Sequence, residues 1–207
     1  MRPKRKEVIV ERLTQKAFQP FGAVIEFPER ERGKKRADMT PDCVRIPHAD
    51  LWSVFDLDFN GRQAYTGWVR YYRRKLEFHT LESHLEETEV LIPYGGAPSI
   101  FAVAPPTEIG EEHPAPSPDM VRAFLLDGTQ GVAFHRAVWH RHVYPLGEWT
   151  DLIVILPEGH GRLRPSEAHR GKAEQHHVDF LETHGLILDL VLRGWDHSPD
   201  IIGEVVT

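Results

Sequence analysis

Apolar residues along the chain fall into short runs separated by proline, glycine and charged stretches, a spacing that predicts strands rather than long helices. Glu7 to Leu13 alternates, with Val8 and Val10 on one face. Thr14 to Phe18 then predicts a capped helical turn ahead of Pro20, followed by a strand over Ala23 to Phe27. Residues 28 to 43 mix both charges with Pro28, Gly33 and Pro41 and read as a surface loop; Val44 to Phe59 fits either strand or short helix. In Arg62 to Arg73, Tyr65, Gly67, Val69 and Tyr71 alternate with Ala64, Thr66, Trp68, Arg70 and Tyr72, a strand whose tyrosines and arginines suit an exposed face. Further strands are predicted at Ser99 to Ala104, Met120 to Leu126 and Leu152 to Leu156, with an irregular proline-rich connection over 105 to 118. Many short strands without βαβ alternation predict an all-β barrel or sandwich. Near the end, Ser166 to His184 predicts a helix stopped by Gly185, and Leu186 to Leu192 a strand.

Composition narrows the classes of partner. The chain has 207 residues and a formal charge of −6, with no run long enough for a membrane span, so neither nucleic acid nor membrane is an expected partner. Cys43 is the single cysteine, which excludes an internal disulfide and fits a cytoplasmic setting. A small-molecule substrate is the default partner.

Candidate chemistry concentrates between Phe78 and Gly96. Glu82 and His84 are two apart, so a strand would project both from one face; after a short polar step, Glu89 opens the apolar run Val90-Leu91-Ile92. Two such strands can converge three metal ligands. A second stretch, Gly128 to His142, carries His135, His140 and His142 among Phe134 and Trp139. The same residues also have plain readings: Glu82 and His84 as a hydrogen-bonded surface pair, Glu89 as part of a solvated acidic turn, His142 as structural, Asp151 as a buried hydrogen-bonding acid.

The first stretch resembles the first motif of the cupin superfamily, with Glu82 where many cupins have histidine, and the second resembles the downstream histidine motif. Together Leu81-Glu82-x-His84, Ile92-Pro93, Arg122-Ala123-Phe124, Gly128-x-x-Gly131-Val132, His135-Arg136-x-x-Trp139-His140 and Thr150-Asp151 resemble the ureidoglycolate lyase family, across roughly residues 8 to 156. The resemblance implies a cupin-like, jelly-roll-type β-barrel over residues 1–159. Residues 160–207 would then be a helix–strand extension, packed on the barrel or swapped with a second copy. It implies a C–N lyase of purine (allantoin) catabolism that releases urea and glyoxylate from a ureido acid. A homodimer is expected on separate grounds, because an all-β fold leaves edges to cover and Leu186 to Leu192 offers an apolar strip. Carried over residue by residue, Glu82, His84, His135 and His140 would be catalytic, Arg136, Trp139 and Asp151 would bind substrate, and Glu82, His84, Glu89 and His140 would hold a divalent metal such as Ni, Mn or Zn. Residue type alone does not select among these ions. A glutamine often stands at the Glu89 position in that family, so Glu89 tilts the site toward a metal-binding cupin. Two rivals follow: another metal-dependent cupin enzyme, an isomerase or dioxygenase on a small acid, and a non-catalytic cupin-like binding protein.

Overall fold

The computed structural model describes residues 2–39, 43–52, 55–108, 113–157 and 175–195. They form strands β1 (Lys4–Arg12), β2 (Gly22–Ile25), β3 (Val44–Ile46), β4 (Ala49–Leu51), β5 (Ala64–Tyr72), β6 (Glu77–Phe78), β7 (Thr80–His84), β8 (Glu89–Gly96), β9 (Ser99–Ala104), β10 (Arg122–Leu126), β11 (Gly131–Phe134), β12 (Trp139–Pro145), β13 (Trp149–Pro157), β14 (Gln175–Asp179) and β15 (Leu186–Val191), with short helices α1 (Gln15–Phe18) and α2 (Phe180–His184). The all-β expectation holds. Among the described residues no helix is long and apolar enough to cross a membrane.

Two sheets carry the fold. Eight strands run in the order β14-β7-β12-β9-β10-β1-β15-β6, and five in the order β2-β11-β8-β13-β5. The chain changes sheet at β1–β2, β5–β6, β7–β8, β8–β9, β10–β11, β11–β12 and β12–β13, the back-and-forth path of a jelly-roll-type barrel. β6 ends at Phe78 and β7 begins at Thr80, yet they lie at or near opposite ends of the large sheet. That sheet must therefore curl until its two ends are one residue apart.

Strand alternation then builds a core on each face of the large sheet. Ile100, Ala102 and Ala104 of β9 and Ala123 and Leu125 of β10 enter the core inside the curl, with Trp139, Phe180, Leu188 and Leu190. Phe101, Val103, Phe124 and Leu126 point the other way and meet Val132, Phe134, Leu152 and Val154 of the small sheet. Gly22 permits the closest approach between β2 and β11: at φ 150°, an added Cβ would sit 1.8 Å from the Ala133 carbonyl oxygen.

The C-terminal region departs from its expected form. Of the stretch predicted as a helix over Ser166 to His184, residues 166–174 lie outside the described residues, Gln175–Asp179 is strand and only Phe180–His184 is helix. β7 leaves an edge that β14 fills in five-residue register, burying Val178, and the helix starts where Asp179 accepts from the Leu181 and Glu182 amides. Gly185 ends α2 in the left-handed conformation, as its position predicts. The apolar strip of β15 is used within the chain: the strand pairs parallel to β1 and antiparallel to β6, with Leu188 and Leu190 buried. Among the described residues β3 and β4 pair only with each other, and Val44, Ile46 and Leu51 are exposed.

Candidate metal and active site

β7 of the large sheet and β8 of the small one present the central carboxylates and His84 across the second core. His140 joins them from β12, where it is the register partner of Glu82. Glu82, His84 and His140 offer ligand atoms that all lie within 4.8 Å of one another. Glu89 completes the approach: its Oε2 is 3.3 Å from His140 Nε2 and 3.9 Å from His84 Nε2, and Glu82 Oε1 is 3.5 Å from His140 Nε2. The side chains of both histidines are 6% exposed and of both glutamates 14%.

Local structure fixes each donor. His140 stacks on Phe134 at 5.1 Å and its Nδ1 lies 3.2 Å from the Val138 carbonyl; that acceptor requires the proton on Nδ1 and aims Nε2 at the carboxylates. The turn before β12 is strained at Ala137, φ 60°, and the Ala137 amide donates to the His84 carbonyl at 2.7 Å, locking the end of β7. Burial lowers the His140 pKa, but the Glu89 hydrogen bond and the charges of Glu89 and Glu82 outweigh it and push the group up to about 9. Burial raises Glu82, and the hydrogen bond from His142 with the nearby charges of His140, His142 and His84 outweighs it, holding Glu82 well below the usual carboxylate range.

The donor chemistry fits a divalent ion. Ligands about 2.1 Å from a common ion stand roughly 3.0–3.4 Å apart, close to the separations around His140, and two imidazoles with two carboxylates match first-row divalent metals.

Two further residues belong to the site. His142, expected to be structural, is half exposed at the rim with Nε2 3.0 Å from Glu82 Oε1. Tyr71 packs against His142 at 5.7 Å between ring centres, and burial with the charges of Glu89 and Glu82 pushes its phenol pKa up. The exposed-face reading of β5 holds for Arg70 and Tyr72 and fails for Tyr65 and Tyr71, whose strand phase puts them with Val69 on the inward side. That alternation was visible in the sequence; the choice of face was not.

The remaining sequence-predicted residues lie outside the four-residue cluster itself. His135 is exposed on the turn after β11, its ring beside Phe55. Arg136 pairs with Asp58 at 2.5 Å, its Nε buried without a hydrogen-bond partner. The Asp58 segment is itself pinned to the β7–β8 connection by reciprocal bonds with Thr88, 3.0 Å each. Trp139 faces away from the cluster into the curled core and donates to Thr107 Oγ1 at 3.0 Å, because neighbours on a strand point to opposite faces. Asp151 is buried on the outer face of the small sheet, bound through both oxygens by Arg70 at 2.7 Å, since Leu152 takes the inward position.

A family model described as "Ureidoglycolate lyase" matches residues 5–179, past the end of β13 and through β14. The ureidoglycolate lyase of Pseudomonas savastanoi pv. phaseolicola is 28% identical over 89% of this chain and 96% of its own length. The Burkholderia mallei protein of the same name is 33% identical over 76% of this chain and 86% of its own. That of Pseudomonas aeruginosa is 30% identical over 73% and 84%. A solved structure of RmlC from Streptococcus suis in complex with dTDP-D-xylose aligns over 65% of this chain and 59% of that one, at 9% identity and a TM-score of 0.38, a likeness too slight to bear on function.

Proposed function

The chain belongs to the ureidoglycolate lyase family, and from that premise we propose that it cleaves ureidoglycolate to glyoxylate and urea at the cluster of Glu82, His84, Glu89 and His140. The observation that carries this reading is the convergence of those four side chains from both sheets. They would hold a divalent ion, which when bound supplies a Lewis acid that polarises the substrate oxygens.

The reaction moves one proton. As the hydroxyl oxygen becomes the glyoxylate carbonyl, its proton leaves; the C–N bond breaks with its electron pair on nitrogen, and that nitrogen takes a proton to become urea. Sequence alone leaves Glu82 and His140 open as the base. Glu82 is held ionised by the histidines around it, and His140 Nε2 faces Glu89. His142 is better placed. Its Nε2–H is committed to Glu82, so the neutral ring keeps Nδ1 as the acceptor, on a half-exposed side chain at the site's rim. His142 takes the hydroxyl proton at Nδ1 and returns it to the leaving nitrogen. Arg136, partly exposed where it pairs with Asp58, would hold the substrate carboxylate through its guanidinium.

The same reading takes the working unit as a homodimer, supported by the exposed Val44, Ile46 and Leu51 on a hairpin that pairs with no other described strand. Light scattering at micromolar concentration tests it; a monomer counts against it. Incubation with ureidoglycolate tests the reaction: urea and glyoxylate appear together in equal amounts. Ammonia in place of urea would overturn the lyase reading, and oxygen consumption would favour a cupin dioxygenase.

A further inference from the structure

Ser83 lies between Glu82 and His84 on β7, and Trp139 immediately precedes His140 on β12; both point away from the cluster, into the opposite core. One residue touches both. His113, 3% exposed, places Nε2 3.2 Å from Ser83 Oγ and stacks its ring on Trp139, with centres 4.9 Å apart and planes at 2°. We propose that His113 is a positioning residue for the reaction centre, holding from behind the two strands that carry Glu82, His84 and His140. The inference rests on reading that cluster as the site of reaction.

The contacts around His113 are directional. Nδ1 lies 3.3 Å from the Glu108 carbonyl, which can only accept, and 3.4 Å from Thr107 Oγ1; the tautomer with its proton on Nδ1 satisfies the carbonyl and leaves Nε2 to accept from the Ser83 hydroxyl. Burial pushes the His113 pKa down against the Glu108 hydrogen bond, which keeps the ring neutral, as this arrangement needs. Thr107 Oγ1 accepts from Trp139 Nε1 at 3.0 Å, tying the same loop to the same tryptophan. His176 of β14, the register partner of Ser83, meets the His113 ring edge-on at 5.0 Å. The backbone supports the ring at a cost: His113 adopts φ 28°, a region that non-glycine residues seldom occupy and that clusters at functional positions.

Strand geometry turns these contacts into leverage on the cluster. Adjacent side chains on a strand point to opposite faces, so a rotation of β7 at Ser83 swings Glu82 and His84 in the opposite sense, and a tilt of Trp139 does the same to His140. A single ring fixing both angles sets the spacing of three donors. Such outer contacts typically govern ligand aim, and their loss costs about 10- to 100-fold in metal affinity or activity.

The test compares wild type, His113→Phe, His113→Gln and Ser83→Ala in three readouts: Co²⁺ affinity, visible absorption of the Co²⁺-loaded protein, and imidazole ¹⁵N resonances of the metal-free protein. His113→Phe keeps a ring for Trp139 but neither nitrogen, and Ser83→Ala removes one oxygen. Both are expected to weaken Co²⁺ binding about 10- to 100-fold, to change the absorption and to move the His84 and His140 resonances. His113→Gln, which keeps an acceptor for Ser83, restores part of the affinity. Lower thermal stability with unchanged Co²⁺ affinity and unmoved resonances would make His113 a core residue and overturn the proposal. If wild type takes no Co²⁺, the metal reading fails and the resonances alone decide: moved upholds positioning, unmoved overturns it. If His113→Phe does not fold, Ser83→Ala decides by the same readouts.

Discussion

His140 Nε2 lies 3.3 Å from Glu89 Oε2, and this contact joins the eight-stranded sheet to the five-stranded one. A buried imidazole facing two carboxylates from different strands is a protonated imidazole while no metal is present, because burial alone would lower its pKa and the two negative charges more than reverse that.

The first prediction follows from that protonation. The His140 pKa is raised from 6.5 to about 9, so the pair's contribution to the stability of metal-free protein is complete below about pH 6.5 and is lost as pH rises through about 9. A divalent ion needs the neutral ring, so binding between these values must expel the proton. Metal affinity should rise about tenfold per pH unit over pH 7 to 8.5 and flatten above 9, with about one proton released per ion at pH 7.5. Calorimetry in buffers of different ionisation enthalpy checks the count; pH-independent affinity would mean that His140 is not a ligand.

The second prediction concerns the two histidines whose places the structure redefines. His142→Ala should reduce turnover about 100- to 10,000-fold, the cost of losing a proton carrier, while His135→Ala, exposed beside Phe55, should stay within about threefold. A His135 variant as damaged as the His142 variant would move the proton carrier to the turn between β11 and β12.

The core of the site was legible because its information is local. Glu82 and His84 need only a strand to share a face, and a polar turn before Glu89 brings the next strand, in the other sheet, to face it. His140 follows from the family resemblance, and β12 lies beside β7. What stayed hidden depends on which face each strand turns inward. Asp151 and Trp139 sit within family-like motifs, yet Leu152 and His140 take the inward positions beside them. Tyr71 and Tyr72 differ only in phase. His113 comes from the proline-rich connection, where no periodicity marks a residue as buried. The strand at Gln175–Asp179 reads as helix from its polarity, and only the unpaired edge of β7 calls for a strand there.

Asp151 supplies the third prediction. Its carboxylate is lowered by the Arg70 hydrogen bonds, against a smaller effect of burial, and Arg70 lies 4.2 Å over the Trp149 ring. Asp151→Ala leaves Arg70 without its bidentate partner on the outer face, remote from the cluster. The variant should unfold at a lower temperature with kcat/KM within about twofold of wild type, the pattern of a purely structural loss. A selective loss of turnover at unchanged thermal midpoint would return Asp151 to the substrate.

Arg136 carries the last prediction. Its guanidinium is paired with Asp58, and Asp58 is in turn bonded through its backbone to Thr88, beside the opening of β8. On the proposed reading, the substrate carboxylate would meet an arginine whose plane is already set. Lysine keeps the charge but not the fork, so Arg136→Lys should raise KM about tenfold and, because a single-point grip leaves the reacting carbon free to turn, lower kcat as well. Asp58→Asn keeps the shape and removes the charge that holds the guanidinium. It should raise KM by a smaller factor and leave kcat near wild type, since the arginine can still close on the carboxylate. Steady-state kinetics on ureidoglycolate separates the two. If Arg136→Lys leaves both constants unchanged, the carboxylate is held elsewhere, and the Asp58–Arg136 pair serves only to fasten the segment before β5 to the turn before β12.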